Sequence, residues 1–378
     1  MKGYKVKLKP NNKQKTLMIK FAGCARFTYN WAIIEQEKEY KNNKRFIDTY
    51  EMQKRFVVFK KNNQWLYEIP SKIQEQSIKD CCEAYKKFFK YKNNKPKLKK
   101  KKAYNQFFQK ARNSAFNIYP DNKVKLSGIG LMKFFDKKYI PLDSQYYNIR
   151  INSYDNGNSW YLSLAVDEPQ EIKEFKQDGI GIDLGLKDLA TLNDGTKFEN
   201  INKTTQIKKL EKRLKRTQRA ISRKYEKNKD GKKYIKTQNI LKQETKLKRQ
   251  YQRLTNIRED YINKMISNII KREPSFVVME NLNVSGMMKN RHLSKAISQC
   301  KFYAIRDKLQ KKLANTTSQF ILADRFYPSS KICNHCGNIK KDLKLKDRIY
   351  RCECGYTEDR DINASKNLYQ YGLQKLAS

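Results

Sequence analysis

The sequence predicts an α/β multidomain chain: a small β-barrel interrupted by a helical region, then an α/β domain carrying a helical hairpin and a cysteine ribbon as insertions. Three observations predict this. Apolar residues recur at spacings of three and four over two N-terminal stretches, the period of a helix packed on one face. Short alternating runs flank those stretches, the period of a half-buried strand. In the second half, brief unbroken apolar runs alternate with long basic helical stretches, and two cysteine pairs lie near the C-terminal end.

Taken in order, residues 2–9 set Tyr4, Val6 and Leu8 on one face and Lys5, Lys7 and Lys9 on the other, a strand ended by Pro10-Asn11. From about 13 to 41, Leu17, Phe21, Cys24, Phe27, Trp31 and Ile34 keep helical spacing. A second helix follows Pro70, with Ser71 as N-cap and Ile73, Ile78, Cys82, Tyr85 and Phe89 along it. Residues 93–103 are a charged connection. Strand-like segments come next at 116–119, 123–126, 147–151 and 160–166, the last two joined by an Asp155-Asn-Gly157 hairpin signal. Such spacing predicts a small barrel, into which residues 2–9 are expected to pair. Residues 1–10 and 104–172 are assigned to the barrel, and 11–103 to a helical insertion.

Near Gln177 the character changes. Residues 180–184 form a short apolar strand, and 191–195 read as a hairpin turn. Residues 203–272 are helical and very basic. Ile207, Leu210, Leu214 and Ile221 line one arm, and Ile240, Leu247, Leu254, Ile257, Tyr261, Met265 and Ile269 the other, with a break at 228–231. After Pro274, residues 276–279 are a buried strand ending in Glu280, and 320–323 are another.

Charge narrows the function. There are 83 Lys+Arg against 38 Asp+Glu, a net charge of +45. Such an excess destabilises a compact fold by self-repulsion, and its usual reason is a polyanion partner, most often nucleic acid. Aromatics interleave with the cations at Tyr85, Phe88, Phe89, Tyr91, Tyr104, Phe107 and Phe108, a composition that suits stacked bases as well as a helical core. No apolar run reaches membrane-spanning length, and Met1–Val6 lacks a leader-like stretch. No membrane partner is expected. The cysteines are expected in a reducing compartment, where paired spacing points to metal rather than disulfide.

Two constellations carry chemistry. Asp183 lies in an apolar strand, Glu280 ends another, and Asp361 opens an apparent helix. A carboxylate in a Val/Ile run is costly unless paired or bound to a cation. Three such acids can converge at one end of a sheet and hold hard Mg2+ or Mn2+ ions, two ions being what a two-metal phosphodiesterase needs. Singly, Asp361 reads equally as an N-cap, Asp183 as a turn residue and Glu280 as an ion-pair partner. Cys333-x-x-Cys336-Gly and Cys352-x-Cys354-Gly, fifteen residues apart, read as a structural site for one Zn2+. His335 is an alternative ligand. Cys24, Cys81, Cys82 and Cys300 read as packed core residues, and His292 as a surface residue.

Gly181-Ile-Asp-Leu-Gly185, Val278-Met-Glu-Asn-Leu282 and Asp359-Arg-Asp-Ile-Asn-Ala364 resemble the three RuvC motifs of the TnpB (OrfB) family, encoded by insertion sequences and similar to type V CRISPR effectors. Pro328-Ser-Ser-Lys-Ile-Cys333 with its ribbon, and Gly23-Cys-Ala-Arg-Phe-Thr-Tyr-Asn30, fit as well. The second knuckle is one residue short of the family pattern. The resemblance implies an RNase H-like (RuvC) nuclease domain over 173–328 and 357–378, a zinc ribbon over 329–356, and a wedge barrel with a helical recognition insertion. It implies an RNA-guided DNA endonuclease, with Asp183, Glu280 and Asp361 catalytic and Asp359 not. Its partners would be a guide RNA derived from the transposon end and double-stranded target DNA bearing a short adjacent motif. Residues sought at the nucleic acid are Gln74, Gln76, Tyr104, Phe107, Lys208, Lys212 and Arg216. The oligomeric state is left open by the sequence, a monomer with one RNA being the expectation, and the expected location is the cytoplasm of a prokaryotic host, in association with the nucleoid.

Other readings stand beside this one. A nuclease-dead, RNA-guided DNA-binding regulator would be expected to have lost an acid. A coating protein accounts for the charge but not for acids in apolar strands. A His-x-His transposase does not fit a chain with two histidines. A guide-independent basic nuclease is an open alternative.

Overall fold

In the computed structural model, which describes the chain outside residues 92–93, 102–104, 110–115, 137, 143, 154, 156, 169–170, 345–346 and 378, the alternation over residues 2–9 becomes β1 (Lys2–Lys9), with Tyr4, Val6 and Leu8 buried. The chain divides into two units, Met1–Pro169 and Gln170–Ser378.

In the first unit, α1 (Asn12–Asn43) starts at a reciprocal cap. The Asn11 side chain accepts from Gln14 N at 2.8 Å, and the Gln14 side chain accepts from Asn11 N at 3.1 Å. Two further helices follow, α2 (Thr49–Lys61) and α3 (Ser71–Tyr91). Then come β2 (Gln106–Phe108), β3 (Phe116–Tyr119), β4 (Lys123–Leu126), β5 (Gly130–Phe134), β6 (Tyr146–Ser153) and β7 (Trp160–Val166). With β1 they form one antiparallel sheet, ordered β2-β6-β7-β1-β5-β4-β3. β1 is shared between two strands: residues 2–7 pair with β7, and Leu8 and Lys9 with β5. The three helices are thus an excursion between β1 and the rest of its sheet. The expected barrel does not close among the described residues, because β2 and β3 end the order without pairing, and α1 and α3 pack against β2 instead.

That packing corrects two expectations. Phe107 is 1 % exposed, edge-on to Phe21 at 5.6 Å and beside Trp160 at 6.2 Å, so its ring has no free face for a base. Gln74 is 2 % exposed and donates to the Leu66 carbonyl at 2.7 Å, satisfying a buried backbone group inside the helical core.

The second unit runs β8 (Ile180–Asp183), β9 (Asp188–Leu192), β10 (Lys197–Glu199), α4 (Thr205–Lys227), the two-residue β11 (Lys229–Asp230) and β12 (Lys233–Tyr234), α5 (Gln238–Ile270) and β13 (Phe276–Met279). It continues through α6 (Val284–Met287), α7 (Ser294–Cys300), α8 (Phe302–Leu313), β14 (Gln319–Leu322), β15 (Ile349–Arg351), β16 (Thr357–Asp359) and α9 (Arg360–Ala377). The main sheet is ordered β10-β9-β8-β13-β14, with β13 parallel to β8 and β14, and β9 antiparallel to both its neighbours. Residues of β13 alternate between faces. Val277 and Met279 join Ile266 and Ile269 of α5 and Ile305 and Leu309 of α8 in one cluster. Phe276 and Val278 join Leu368 and Tyr371 of α9 in another. The sheet is therefore covered on both faces. The helical hairpin expected over 203–272 is α4 and α5, packed through Ile207, Leu214 and Leu254. Among the described residues no helix is long and apolar enough to cross a membrane.

Candidate active site and cysteine centre

Glycine at 181 decides where the acids meet. A Cβ built there would lie 2.1 Å from the Ser365 carbonyl oxygen and 2.5 Å from the Tyr369 amide nitrogen, so α9 crosses β8 backbone against backbone. Strand register does the rest. Val278 is opposite Gly181 and Met279 opposite Ile182, so Glu280 and Asp183 follow side by side at the C-terminal ends of adjacent parallel strands. Asp361 lies in the first turn of α9, the helix packed across those strands.

Asp359 has separate work. One of its carboxylate oxygens accepts from Asp361 N at 2.9 Å and Ile362 N at 3.3 Å, and the other accepts from Lys197 Nζ at 2.7 Å. It is the cap of α9. Burial opposes its charge, but the Lys197 bond and those two amides hold its carboxyl below the usual range. The capping alternative for Asp361 is thereby answered. Among the described residues the Asp183 and Asp361 side chains have no hydrogen-bond or ion-pair partner. Glu280 accepts from Ser329 Oγ at 2.5 Å.

Like charges strain this cluster. Burial, then Glu280 and Asp361, hold the Asp183 carboxyl well above its ordinary range. Burial also raises Glu280, against the pull of Ser329 and Arg360, and Asp361 raises it further. Neighbouring carboxylates that raise one another are what a cation would relieve. Oxygen-only donors suit a hard ion such as Mg2+ or Mn2+. The three acids do not close as tightly as the cysteines. Among the described residues, Cys333, Cys336, Cys352 and Cys354 form the one group of metal-capable side chains whose ligand atoms all lie within 4.8 Å of one another.

The cysteine centre fits a tetrahedral ion. Cys333 Sγ is 3.7 Å from Cys354 Sγ, and Cys336 Sγ is 3.6 Å from Cys352 Sγ. A tetrahedron with Zn–S bonds of about 2.3 Å has edges of about 3.8 Å. The short second pair is no obstacle. Gly337 and Gly355 end the two knuckles at φ 77° and 87°, a left-handed backbone that favours glycine. The thiols act on one another: the Cys354 amide, above all, pulls the Cys352 thiol down to about 7, while burial raises Cys333, and, against the Tyr356 amide, burial with the neighbouring thiols pushes Cys354 up to about 12. His335 Nδ1 stands 3.9 Å from Cys354 Sγ, outside a set already complete with four thiols.

The remaining sequence candidates divide. Gln76 is half-buried and donates to Asp80 at 2.8 Å, an acid that Arg150 also clamps. Tyr104 lies outside the described residues. Lys208, Lys212 and Arg216 are exposed along α4. Sequence reasoning did not reach Ser329, the Asp359 cap or Lys197. A serine four residues before the first knuckle cysteine gives no local signal of a carboxylate partner 49 residues away.

Comparison with known proteins adds three matches to family models. Residues 162–291 match OrfB_IS605, described as "Probable transposase". Residues 302–368 match a "Cas12f1-like, TNB domain". Residues 1–45 match a model described as a helix-turn-helix domain, although here they fold as β1 and the single helix α1. The chain is similar to "Putative RNA-guided DNA endonuclease InsQ" of Escherichia coli (strain K12), at 28 % identity over 100 % of this chain and 94 % of that protein. It is similar to "Putative RNA-guided DNA endonuclease" of Streptomyces pristinaespiralis, at 26 % identity over 98 % of this chain and 89 % of that protein. Its fold is similar to a chain of a solved Cas12f1-sgRNA-target DNA complex, with a TM-score of 0.61 at 15 % identity over 95 % of this chain and 83 % of that one.

Proposed function

The chain belongs to the OrfB (TnpB) family, and on that premise we propose that it is an RNA-guided, metal-dependent endonuclease that hydrolyses guide-complementary double-stranded DNA beside a short motif. The observation that carries the reading is the acidic convergence. Asp183 and Glu280 end adjacent parallel strands, and Asp361 opens the helix laid across them. On this reading residues 173–328 and 357–378 are an RNase H-like (RuvC) nuclease domain and 329–356 a zinc ribbon. Residues 1–10 and 104–172 are a wedge domain, and 11–103 a recognition insertion.

Asp183, Glu280 and Asp361 would hold two Mg2+ or Mn2+ ions, which supply an activated water and stabilise the leaving 3′ oxygen. The chain's own part is placement. Ser329 donates its hydroxyl to Glu280, Asp359 fixes the start of α9 so that Asp361 stays free of capping, and Lys197 holds Asp359. Cys333, Cys336, Cys352 and Cys354 would hold one structural Zn2+.

The guide RNA and the target strand bring phosphate backbones, and α4 offers a surface for one. Lys208, Lys212 and Arg216, four residues apart, follow one stripe of the helix at about 6 Å per step. Phosphate contacts of this kind position a duplex without reading it.

The test is to isolate the protein with its native flanking DNA, sequence the co-purifying RNA, and challenge the complex with Mg2+ on a plasmid library randomised beside a matched target. A discrete RNA with guide-dependent cutting next to a short motif is expected. Heterogeneous RNA, or cutting indifferent to the guide, would overturn the reading.

A further inference from the structure

Asparagine is a poor residue for a helix interior, because its amide competes for backbone partners. α9 nonetheless buries two, Asn363 at 0 % and Asn367 at 2 % exposure. Their spacing of four sets them on one face. A different face, marked by Ser365, Tyr369 and Gly372, packs on the sheet.

The two amides hold the segment that enters the first knuckle. Asn363 Nδ2 donates to the Ile332 carbonyl at 2.7 Å, and its Oδ1 accepts from Asn334 N at 3.1 Å. Asn367 Nδ2 donates to the carbonyls of Ser329 and Ile332, both at 2.7 Å, and its Oδ1 accepts from Asn334 Nδ2 at 3.1 Å. Cys333 is therefore tied to α9 on both sides. At the other end of the segment, Ser329 is 2 % exposed and gives its hydroxyl to Glu280. One helix thus carries Asp361, lies on the strand of Asp183, and anchors both a zinc-site cysteine and the serine that orients Glu280.

We propose that Ser329 is a positioning residue for Glu280, held in place by an amide strap of Asn363, Asn367 and Asn334 through which the zinc knuckle and the acidic site share one geometry. The proposal rests on the nuclease reading of the three acids. An apolar contact would press the segment on α9 equally well. Buried amides instead fix which carbonyl meets which donor, so they specify register. The Ser329 hydroxyl, donating to one oxygen of Glu280, fixes the plane of the carboxylate and leaves its other oxygen for a cation. Without that bond the Glu280 carboxylate has no hydrogen-bond partner left among the described residues to fix its plane.

The test is a Mn2+ titration of the full chain loaded with guide RNA, read by electron paramagnetic resonance, alongside zinc content and thermal unfolding. Wild type is expected to bind Mn2+ that Asp183→Ala loses. Ser329→Ala is expected to keep one zinc per chain and an unfolding midpoint near wild type, while its Mn2+ affinity falls by about 10-fold or more, as when an orienting partner of a metal ligand is lost. Asn367→Ala, which leaves the hydroxyl but cuts the strap, is expected to weaken Mn2+ similarly with zinc retained. Wild-type Mn2+ affinity in Ser329→Ala overturns the positioning role. Wild-type affinity in Asn367→Ala overturns the strap. If wild type itself binds no Mn2+ that depends on Asp183, the nuclease reading fails, and the strap with it.

Discussion

Gly181→Ala tests whether α9 sets the acidic site. The added methyl would sit 2.1 Å from the Ser365 carbonyl oxygen and 2.5 Å from the Tyr369 nitrogen, and both are helix backbone that cannot swing aside as a side chain would. A close C···O contact needs about 3.3 Å, so α9 would have to lift by roughly 1.2 Å at Ser365, four residues after Asp361. Overpacking of this kind costs about 1–3 kcal/mol. In a unit of this size each kcal/mol lowers the unfolding midpoint by about 2–4 °C. Misplacement by about 1 Å costs on the order of 100-fold in rate. The assay is single-turnover cleavage of guide-matched plasmid at saturating Mn2+, with target binding measured separately and Gly3→Ala, whose methyl meets nothing within 4 Å, as control. Cleavage is expected to fall by about two orders of magnitude with target binding nearly intact. Wild-type cleavage at an unchanged midpoint would refute the claim that α9 holds Asp361 in place.

Four other outcomes are expected. Asp183→Ala abolishes cleavage and leaves nucleic-acid binding nearly intact in a gel-shift assay; loss of both would make Asp183 structural. Cys333→Ser loses the bound zinc and with it folding energy, lowering the unfolding midpoint; a zinc-free wild type of full activity and stability would sink the zinc assignment. Asn43, Arg45 and Arg55 hold the Glu39 carboxyl down at about 2, so its stabilisation is complete above the unfolded value near pH ~4.3 and is lost as pH falls toward about 2. Glu39→Gln should flatten that acid limb in denaturant unfolding followed by tryptophan fluorescence, since Trp31, Trp65 and Trp160 all lie in the first unit; an unchanged limb would discount the network. Replacing Lys208, Lys212 and Arg216 with Gln should lower the salt slope of duplex binding by about 2.7, at about 0.9 per lost phosphate contact, whereas an unaltered slope would remove α4 from the interface.

Much of the fold was legible because it is written in short-range periods. The alternation of Tyr4, Val6 and Leu8, the helical spacing from Leu17 to Ile34, and the apolar blocks before Asp183 and Glu280 each became the element they predicted. The cysteine spacing likewise implied a cluster that the thiol geometry shows. Phe302, Ile305, Leu309 and Leu313 keep the three- and four-residue spacing of α8, a signal as local as that of α1. Other features depend on contacts that local pattern cannot encode. An aromatic beside lysines suits a core and a base equally, so Phe107 could be told from a stacking ring only by the arrival of Phe21 and Trp160. Closure of the N-terminal sheet hinges on the pairing of β2 and β3, which lack partners for each other among the described residues. Asp359 and Asp361, two apart, are equivalent as capping candidates until helix geometry assigns the amides to Asp359. The one local hint of the strap was a pair of asparagines inside an otherwise helical run.

On the proposed reading, binding and cutting answer to different charges in this chain. The net +45 acts from exposed side chains such as Lys208 and Lys212, and salt screens it over about 10 Å. The three acids are a local acidic cluster within that basic chain. Arg360 acts on Asp183 and Glu280, while Lys197 is already committed to Asp359. On the proposed reading a phosphodiester drawn in by the long-range field meets local repulsion at the acids, which cations held by those same acids would reverse. This is why Asp183→Ala should spare binding while cleavage is lost, and why the α4 substitutions should shift the salt slope yet leave the cleavage rate of a fully bound complex unchanged.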